Sequence, residues 1–312
     1  MERIAIVGAG MAGLACGRAL ADRGIGVELF DKGRKAGGRM SCRVGDSPSG
    51  PVGFDHGAQY MTGRDPGFLA QLSAWQAAGT VAPWPAAGAG AWVGVPGMNA
   101  PLLALSRDLP VRWETRVDAI VRDGAGWRLS GEGLDAGGFR AVLTALPAEQ
   151  TATLLSACAP DLAAIAGRTR SAPCWTAMAA FPTRLPIAGD VLRTEGAVGW
   201  AARNAAKPGR PPTEAWVIQA GPDWSRTHLE RDAETVAGAL LGEFFAASGI
   251  APVAPSLLKA HRWRYARSGA AGCDVLWDPA LGIGACGDWL TGPRVENAWL
   301  SGRRLAEALR TG

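Results

Sequence analysis

A chain of 312 residues, 48% hydrophobic and 19% charged, has the material for a large core, which excludes intrinsic disorder. Its 32 basic and 28 acidic residues leave a net charge of +4 without a basic run, which argues against nucleic-acid binding and against a polybasic membrane anchor. Forty-three glycines, about twice the usual share, show no collagen-like period, so their placement has to be explained position by position.

The chain opens with a β-branched run at 3–7, read as a buried strand. Gly8-Ala9-Gly10-Met11-Ala12-Gly13 follows at once, then a helical stretch at 14–22, a break at Gly24, and a second strand at 27–30 that ends on Asp31. This is the strand–turn–helix–strand context of a dinucleotide site. Gly8 permits the tight turn, Gly10 lets the backbone approach a pyrophosphate, and Gly13 lets helix and strand pack closely. The helix N-terminus offers its N–H groups to the phosphates, and Asp31 is placed to accept from the adenosine ribose. A glycine-rich chain produces about one such match by chance, and a second copy does occur at Gly282-Ile283-Gly284-Ala285-Cys286-Gly287. It runs into Asp288-Trp289-Leu290-Thr291-Gly292-Pro293, which does not open a helix directly, so it is read as a strand of the cofactor domain. Gly37-Gly38-Arg39 separates FAD from NAD. Arg39 can meet the pyrophosphate from outside the turn as a bidentate guanidinium, a continuation found in flavoproteins of the two-dinucleotide-binding type.

Residues 54–60, Phe-Asp-His-Gly-Ala-Gln-Tyr, fit neither the helical nor the strand period, and Gly57 points to a close backbone approach, to the flavin among other possibilities. Residues 66–78 read as a helix capped by Asp65 with Pro66 at its first position. Residues 95–98 lead into a helix through 105. Strands follow at 111–113, 115–122, 127–129 and 141–145, then a helix at 149–157. From 175 to 220 the pattern changes to strands at 175–181, 191–194 and 216–220, followed by an amphipathic helix at 231–247 and a strand at 257–264. A short apolar strand at 281–286 precedes a closing helix at 295–309, whose N-terminus near Val295 can face a flavin pyrimidine. The fold class is therefore α/β, a Rossmann-like FAD-binding domain interleaved with a mixed-sheet substrate domain. The expected cofactor domain is discontinuous, over residues 1–75, 97–157 and 278–312, with 76–96 and 158–277 in the substrate domain.

Six cysteines without a C-x-x-C pair read as free thiols, and three histidines have no metal-ligand spacing. His56 and His228 read as satisfied structural histidines. His261 lies in His-Arg-Trp-Arg-Tyr, where alternation puts His261, Trp263 and Tyr265 on one strand face. Tyr60, Trp263 and Trp289 can form an aromatic wall that stacks a planar substrate; core aromatics in a chain with 13 tryptophans are the equal alternative. No nucleophile elbow and no P-loop occur, so no protein residue is assigned as catalytic and the flavin carries the redox step. The apolar stretch after Arg3 is interrupted by Gly8, Gly10 and Gly13, and nothing else approaches a membrane span, so a cytoplasmic protein is expected. The oligomeric state is left open.

The strings "DKGRKAGGRM", "FDHGAQY", "WAARNAAKPGR", "HRWRYA" and "GDWLTGPRVENAWLSG" fall over nearly the whole length. On them the chain resembles the bacterial renalases, a branch of the flavin amine-oxidase superfamily. The resemblance implies noncovalent FAD in a fold like that of para-hydroxybenzoate hydroxylase. By position, Ala12, Arg39, Gln59 and Tyr60 match flavin-contacting residues, and Asp288 matches the Gly-Asp near the ribityl phosphate. It also implies oxidation of 2- and 6-dihydro isomers of NAD(P)H to NAD(P)+, with O2 reduced to H2O2. Asn297 stands where relatives have Gly. A dihydropyridine is already hydridic, so stacking and orientation supply most of the catalysis and no general base is required. Arg203, Arg210 and Arg264 are equal candidates for the substrate phosphates. Amine oxidation, and a flavin-binding interaction protein without turnover, are the alternative functions.

Overall fold

The computed structural model describes residues 3–48 and 50–309; the expected domain ends at 1 and 312 lie outside them. An eight-stranded sheet runs in the order Leu276–Asp278, Ile283–Ala285, Leu134–Thr144, Arg3–Val7, Val27–Phe30, Val111–Arg112, with Ala119–Asp123 and Gly126–Gly131 branching from the long third strand. The central strands are parallel and in step. Ala285 pairs with Thr144, Thr144 with Val7, Val7 with Phe30, and Phe30 with Arg112, so their carboxyl ends form one edge. In open α/β sheets ligands bind outside that edge. Alternation splits the core between the two faces: Ile4, Ile6, Leu29 and Leu143 pack on one side, Ala5, Val7, Phe30 and Val142 on the other. Helices Met11–Ala21 and Val295–Ala308 lie against each other on the first face.

The second sheet is antiparallel throughout, in the order Val191–Arg193, Val198–Arg203, Ala215–Ala220, Ala172–Ala180, Leu257–Arg267. One face, with Trp175, Ala177, Ala179, Trp216 and Ile218, is covered by Val236, Leu240 and Phe244 of helix Ala233–Ser248. The other face packs Met178, Ala180, Ala215, Val217 and Leu257 on Val52 and Phe54.

Several elements differ from the sequence reading. Helix Pro160–Arg168, strand Val198–Arg203 and the hairpin Arg43–Ser47/Gly50–Phe54 were not expected. The strand at 141–145 is the end of Leu134–Thr144, and the one at 115–122 narrows to Ala119–Asp123. The boundary placed at 278 cuts Leu276–Asp278, which pairs with Ile283–Ala285 in the first sheet. Residues 81–94 form their own hairpin, Val81–Pro83 with Trp92–Gly94, joined to neither sheet. The helix over Pro66–Ala77 does carry Asp65 as its cap, accepting from the N–H groups of Gly67 and Phe68. Among the described residues no helix is long and apolar enough to cross a membrane.

Candidate functional site

The first glycine turn is dictated sterically. Gly8 sits at φ +107°, and a Cβ at Gly13 would lie 1.9 Å from the Gly8 carbonyl oxygen. Helix Met11–Ala21 then begins at Gly10 with no side-chain cap and no acidic residue in its first turn, although Met11, Ala12 and Gly13 are buried. A buried helix start that no side chain caps presents N–H donors and a positive dipole end to an anion. The space where a Gly10 side chain would go is clear, and Gly38 lies against the Gly10 Cα. This set fits a dinucleotide pyrophosphate. Asp31 has a more immediate task than the one expected: its carboxylate accepts from the N–H groups of Ala9 at 2.6 Å and Gly33 at 2.7 Å, bracing the turn.

Arg39 forms a two-pronged ion pair with the buried Asp288, at 2.9 and 2.6 Å, and donates to the Ala266 carbonyl. Arg39 and Asp288, 249 residues apart in sequence, therefore meet at the carboxyl edge of the first sheet, beside the end of the second. The closing helix starts at Val295 without a side-chain cap, but its first turn holds buried Glu296, which accepts from the N–H groups of Arg64 and Asp65 and from Arg294. That carboxylate already balances the helix dipole, so the positive end expected at Val295 is partly neutralised. Asn297 donates to the Gly292 carbonyl, closing the loop ahead of the helix.

Residues 54–60 are held by a buried charged network that sequence reasoning missed. The Asp55 carboxylate receives Lys207 at 3.2 Å, Arg210 at 2.6 Å, the Cys42 thiol at 2.9 Å and the Met98 N–H at 2.9 Å. Burial alone would raise the Asp55 carboxyl; Lys207 and Arg210 outweigh it and hold the group well below the usual carboxylate range. Burial lowers Lys207. Burial, reinforced by the charge of Asp55, pushes the Cys42 thiol up to about 12. One sequence signal for Lys207 was its rarity, since it is one of four lysines. Gln59 turns back into this network: its amide donates to the carbonyls of Asp55 and Gly57 and accepts from Lys207. Its side chain is thereby committed to the protein. The close approach at Gly57 is to Arg39, whose carbonyl oxygen would lie 2.0 Å from an added Cβ.

Over this segment lies a row of side chains read directly from the register of the second sheet. Arg193 pairs with Trp200, Trp200 with Gln219, Gln219 with Thr176, and Thr176 with His261. Directly paired residues share a face, and this face meets residues 54–60. Trp200 lies against Tyr60 with ring centroids 5.4 Å apart, Gln219 donates to the Gly57 carbonyl at 2.7 Å, and His261 meets His56 edge to face at 5.0 Å. Trp263 packs on His56 at 5.1 Å and donates its indole N–H to the His56 carbonyl.

Three expectations need correction. The wall of Tyr60, Trp263 and Trp289 does not assemble. Trp289 is fully buried behind the sheet with its indole N–H on the Leu146 carbonyl, because its ring folds back over Gly287, where a Cβ would lie 2.5 Å from it. Trp200 takes the place beside Tyr60. His56 is not a satisfied structural histidine: it is buried and its Nδ1 has no hydrogen-bond partner. Burial, then the neighbouring His261 and Arg43, pushes it down to about 3; burial and Arg43 push His261 down to about 4. His228, by contrast, stacks on Trp224 and bonds its carbonyl. The three candidate phosphate arginines are already matched: Arg203 to Glu214 and Asp190, Arg210 to Asp55, and Arg264 to Glu230.

The profile of the NAD(P)-binding Rossmann-like domain matches residues 6–72, the segment that contains the turn, Arg39 and residues 54–60. Over 99% of its length the chain superposes on a protein assigned as a protoporphyrinogen oxidase from Exiguobacterium sp. 255-15, with a TM-score of 0.79, 13% identity and 98% of that chain covered. Cyclohexylamine oxidase from Brevibacterium oxydans IH-35A matches at 0.71 and 17% identity, with 98% of each chain covered. Putrescine oxidase bound to putrescine matches at 0.70 and 13% identity, covering 99% of this chain and 98% of that one. The chain thus has a mixed α/β fold with a Rossmann-like nucleotide-binding domain, shared over its whole described length with these oxidases.

Proposed function

We propose that this protein is a renalase-like, FAD-dependent oxidase that converts 2- and 6-dihydroNAD(P) to NAD(P)+, with O2 as the final acceptor and H2O2 as the product. The uncapped start of helix Met11–Ala21 would hold the FAD pyrophosphate, with the Arg39–Asp288 pair at its edge. Bound FAD supplies the two-electron acceptor for a substrate hydride. The residues of this chain do the rest by binding and orientation. The observation that carries the reading is the row Arg193–Trp200–Gln219 beside Tyr60, continued to His261 by the buried Thr176: aromatic planes, neutral hydrogen-bonding groups and a cation, with no carboxylate. His56 and His261 are neutral at physiological pH, so neither adds charge to this face. A planar, anionic, already hydridic substrate suits such a surface, because it needs stacking and placement and no proton transfer.

An amine suits it less. The oxidases of cyclohexylamine and putrescine share the fold, but an ammonium group seeks an anionic or cage-like partner, and Asp55, the acid of segment 54–60, is already engaged by Lys207 and Arg210. The test is anaerobic mixing of the FAD-loaded protein with 2- or 6-dihydroNAD(P), ordinary NADH, putrescine or cyclohexylamine, following the flavin absorbance. Bleaching by the misreduced isomers at least tenfold faster than by NADH is expected. Faster bleaching by an amine overturns the substrate assignment. Normal FAD content with no bleaching by any of them points to a binding protein without turnover.

A further inference from the structure

The charge balance of the second sheet leaves few arginines unmatched. Arg203 is buried between Glu214 and Asp190, Arg210 is held by Asp55, and Arg262 and Arg264 share Glu230. Arg193 and Arg267 have no carboxylate within ion-pair distance among the described residues, and of the two only Arg193 lies on the cross-sheet row. Arg193 is exposed at the open end of that row, on the edge strand Val191–Arg193. Its position is nonetheless fixed. The guanidinium lies over the Trp200 ring at 4.8 Å, Trp200 lies against Tyr60, and one N–H group donates to the Ala87 carbonyl of the 81–94 hairpin.

A guanidinium held over an indole ring, with one N–H group spent on a carbonyl, still has N–H donors along its planar edge. That is the geometry that meets a phosphate with two parallel hydrogen bonds. Stacking on Trp200 and the bond to Ala87 also restrict the side chain beforehand, so less entropy is lost when an anion binds. The same Trp200 and Tyr60 planes offer a surface for a heterocycle.

We propose that Arg193 is a specificity-determining residue that binds a phosphate of the nucleotide substrate and so selects phosphorylated dihydropyridines over uncharged ones. This rests on the reading of the site as a dihydropyridine nucleotide site. None of the three arginines that sequence reasoning put forward is available for the role, and Arg193 was not among them.

Equilibrium binding of two probes to the FAD-loaded protein tests it: NADH, and dihydronicotinamide riboside, which has the same ring and no phosphate. Tryptophan fluorescence reads both. Arg193→Gln is expected to weaken NADH by about tenfold or more and to leave the riboside within about twofold. Arg193→Lys should recover part of the NADH affinity, since it restores the charge without the planar edge. FAD content and the melting temperature should stay unchanged in both variants. Equal weakening of both probes would make Arg193 a structural pin on Ala87 and overturn the proposal. Unchanged NADH binding in Arg193→Gln, or no NADH binding to the unaltered protein at millimolar concentration, overturns it as well. A loss of NADH binding in Arg193→Gln alongside failure of the misreduced isomers to bleach the flavin sinks the substrate assignment alone.

Discussion

His56 and His261 are two imidazoles held neutral by burial, the first with an orphaned ring nitrogen. Their folded values, about 3 and about 4, lie below the ordinary value of 6.5. Below pH 6.5 the unfolded chain therefore takes up protons that the folded chain refuses, so stability is full above that pH and declines as pH falls. The expected window runs from 6.5 down to about 3 for His56 and to about 4 for His261, with a slope of at most ~1.4 kcal/mol per pH unit from His56. The less deeply buried His261 contributes less. Asp55 does not act in the upper part of this window, above the ordinary carboxylate value of 3.8, because its depressed carboxyl loses stability only below that value. Urea unfolding from pH 7.5 to 4.5 measures the slope, and His56→Phe should flatten it; an unchanged slope would show that the folded protein admits the proton. Little of this was legible in the sequence. His56 was visible as a residue of an aperiodic segment, but its isolation depends on His261, Trp263 and Arg43, which come from elsewhere in the chain. Arg39 and Asp288 were each marked by a local motif, whereas their pairing was not.

At the scale of elements, the nucleotide turn was legible because every part is local: a strand, three glycines, a helix and an acid within about thirty residues. The hairpin Arg43–Ser47/Gly50–Phe54 was hidden by inverted alternation. Val44 is 62% exposed, while buried Gly45 faces inward, where a Cβ would meet Leu257 at 2.7 Å. A strand with glycine inside and valine outside gives no period-two signal. The contact of the first and last helices is also glycine-dependent. A Cβ at Gly302 would lie 2.1 Å from the Ala12 carbonyl oxygen, which is backbone and has no rotamer to yield. Gly302→Ala should therefore push the helices apart, at a cost of about 1–3 kcal/mol. Because Ala12 belongs to the nucleotide turn, the same variant should lose FAD affinity. Parallel measurement of the unfolding midpoint and of flavin retention checks both; a loss of stability with flavin affinity intact would separate helix packing from the turn.

Across the whole molecule, one short stretch of chain carries a dense set of contacts to the second sheet. Asn204 donates to the Gly53 carbonyl, Lys207 and Arg210 hold Asp55, Trp263 holds the His56 carbonyl, and Gln219 holds the Gly57 carbonyl. Val52 and Phe54 add an apolar contact with the second sheet. The row above that stretch was not legible from sequence, because it exists only as a register between five strands drawn from 172–267.

Cys42 sits inside this junction, its thiol bonded to Asp55 and its titration pushed to about 12. At pH 8 it should react with iodoacetamide about three orders of magnitude more slowly than an ordinary thiol. Faster alkylation calls for Asp55 to let go, as when the seam between the sheets parts. Its labelling rate is thus a clock for interdomain opening, read by mass spectrometry on a single peptide. Saturating FAD should slow that clock if the cofactor clamps the seam, and an unchanged rate would mean that the seam opens with the cofactor still bound.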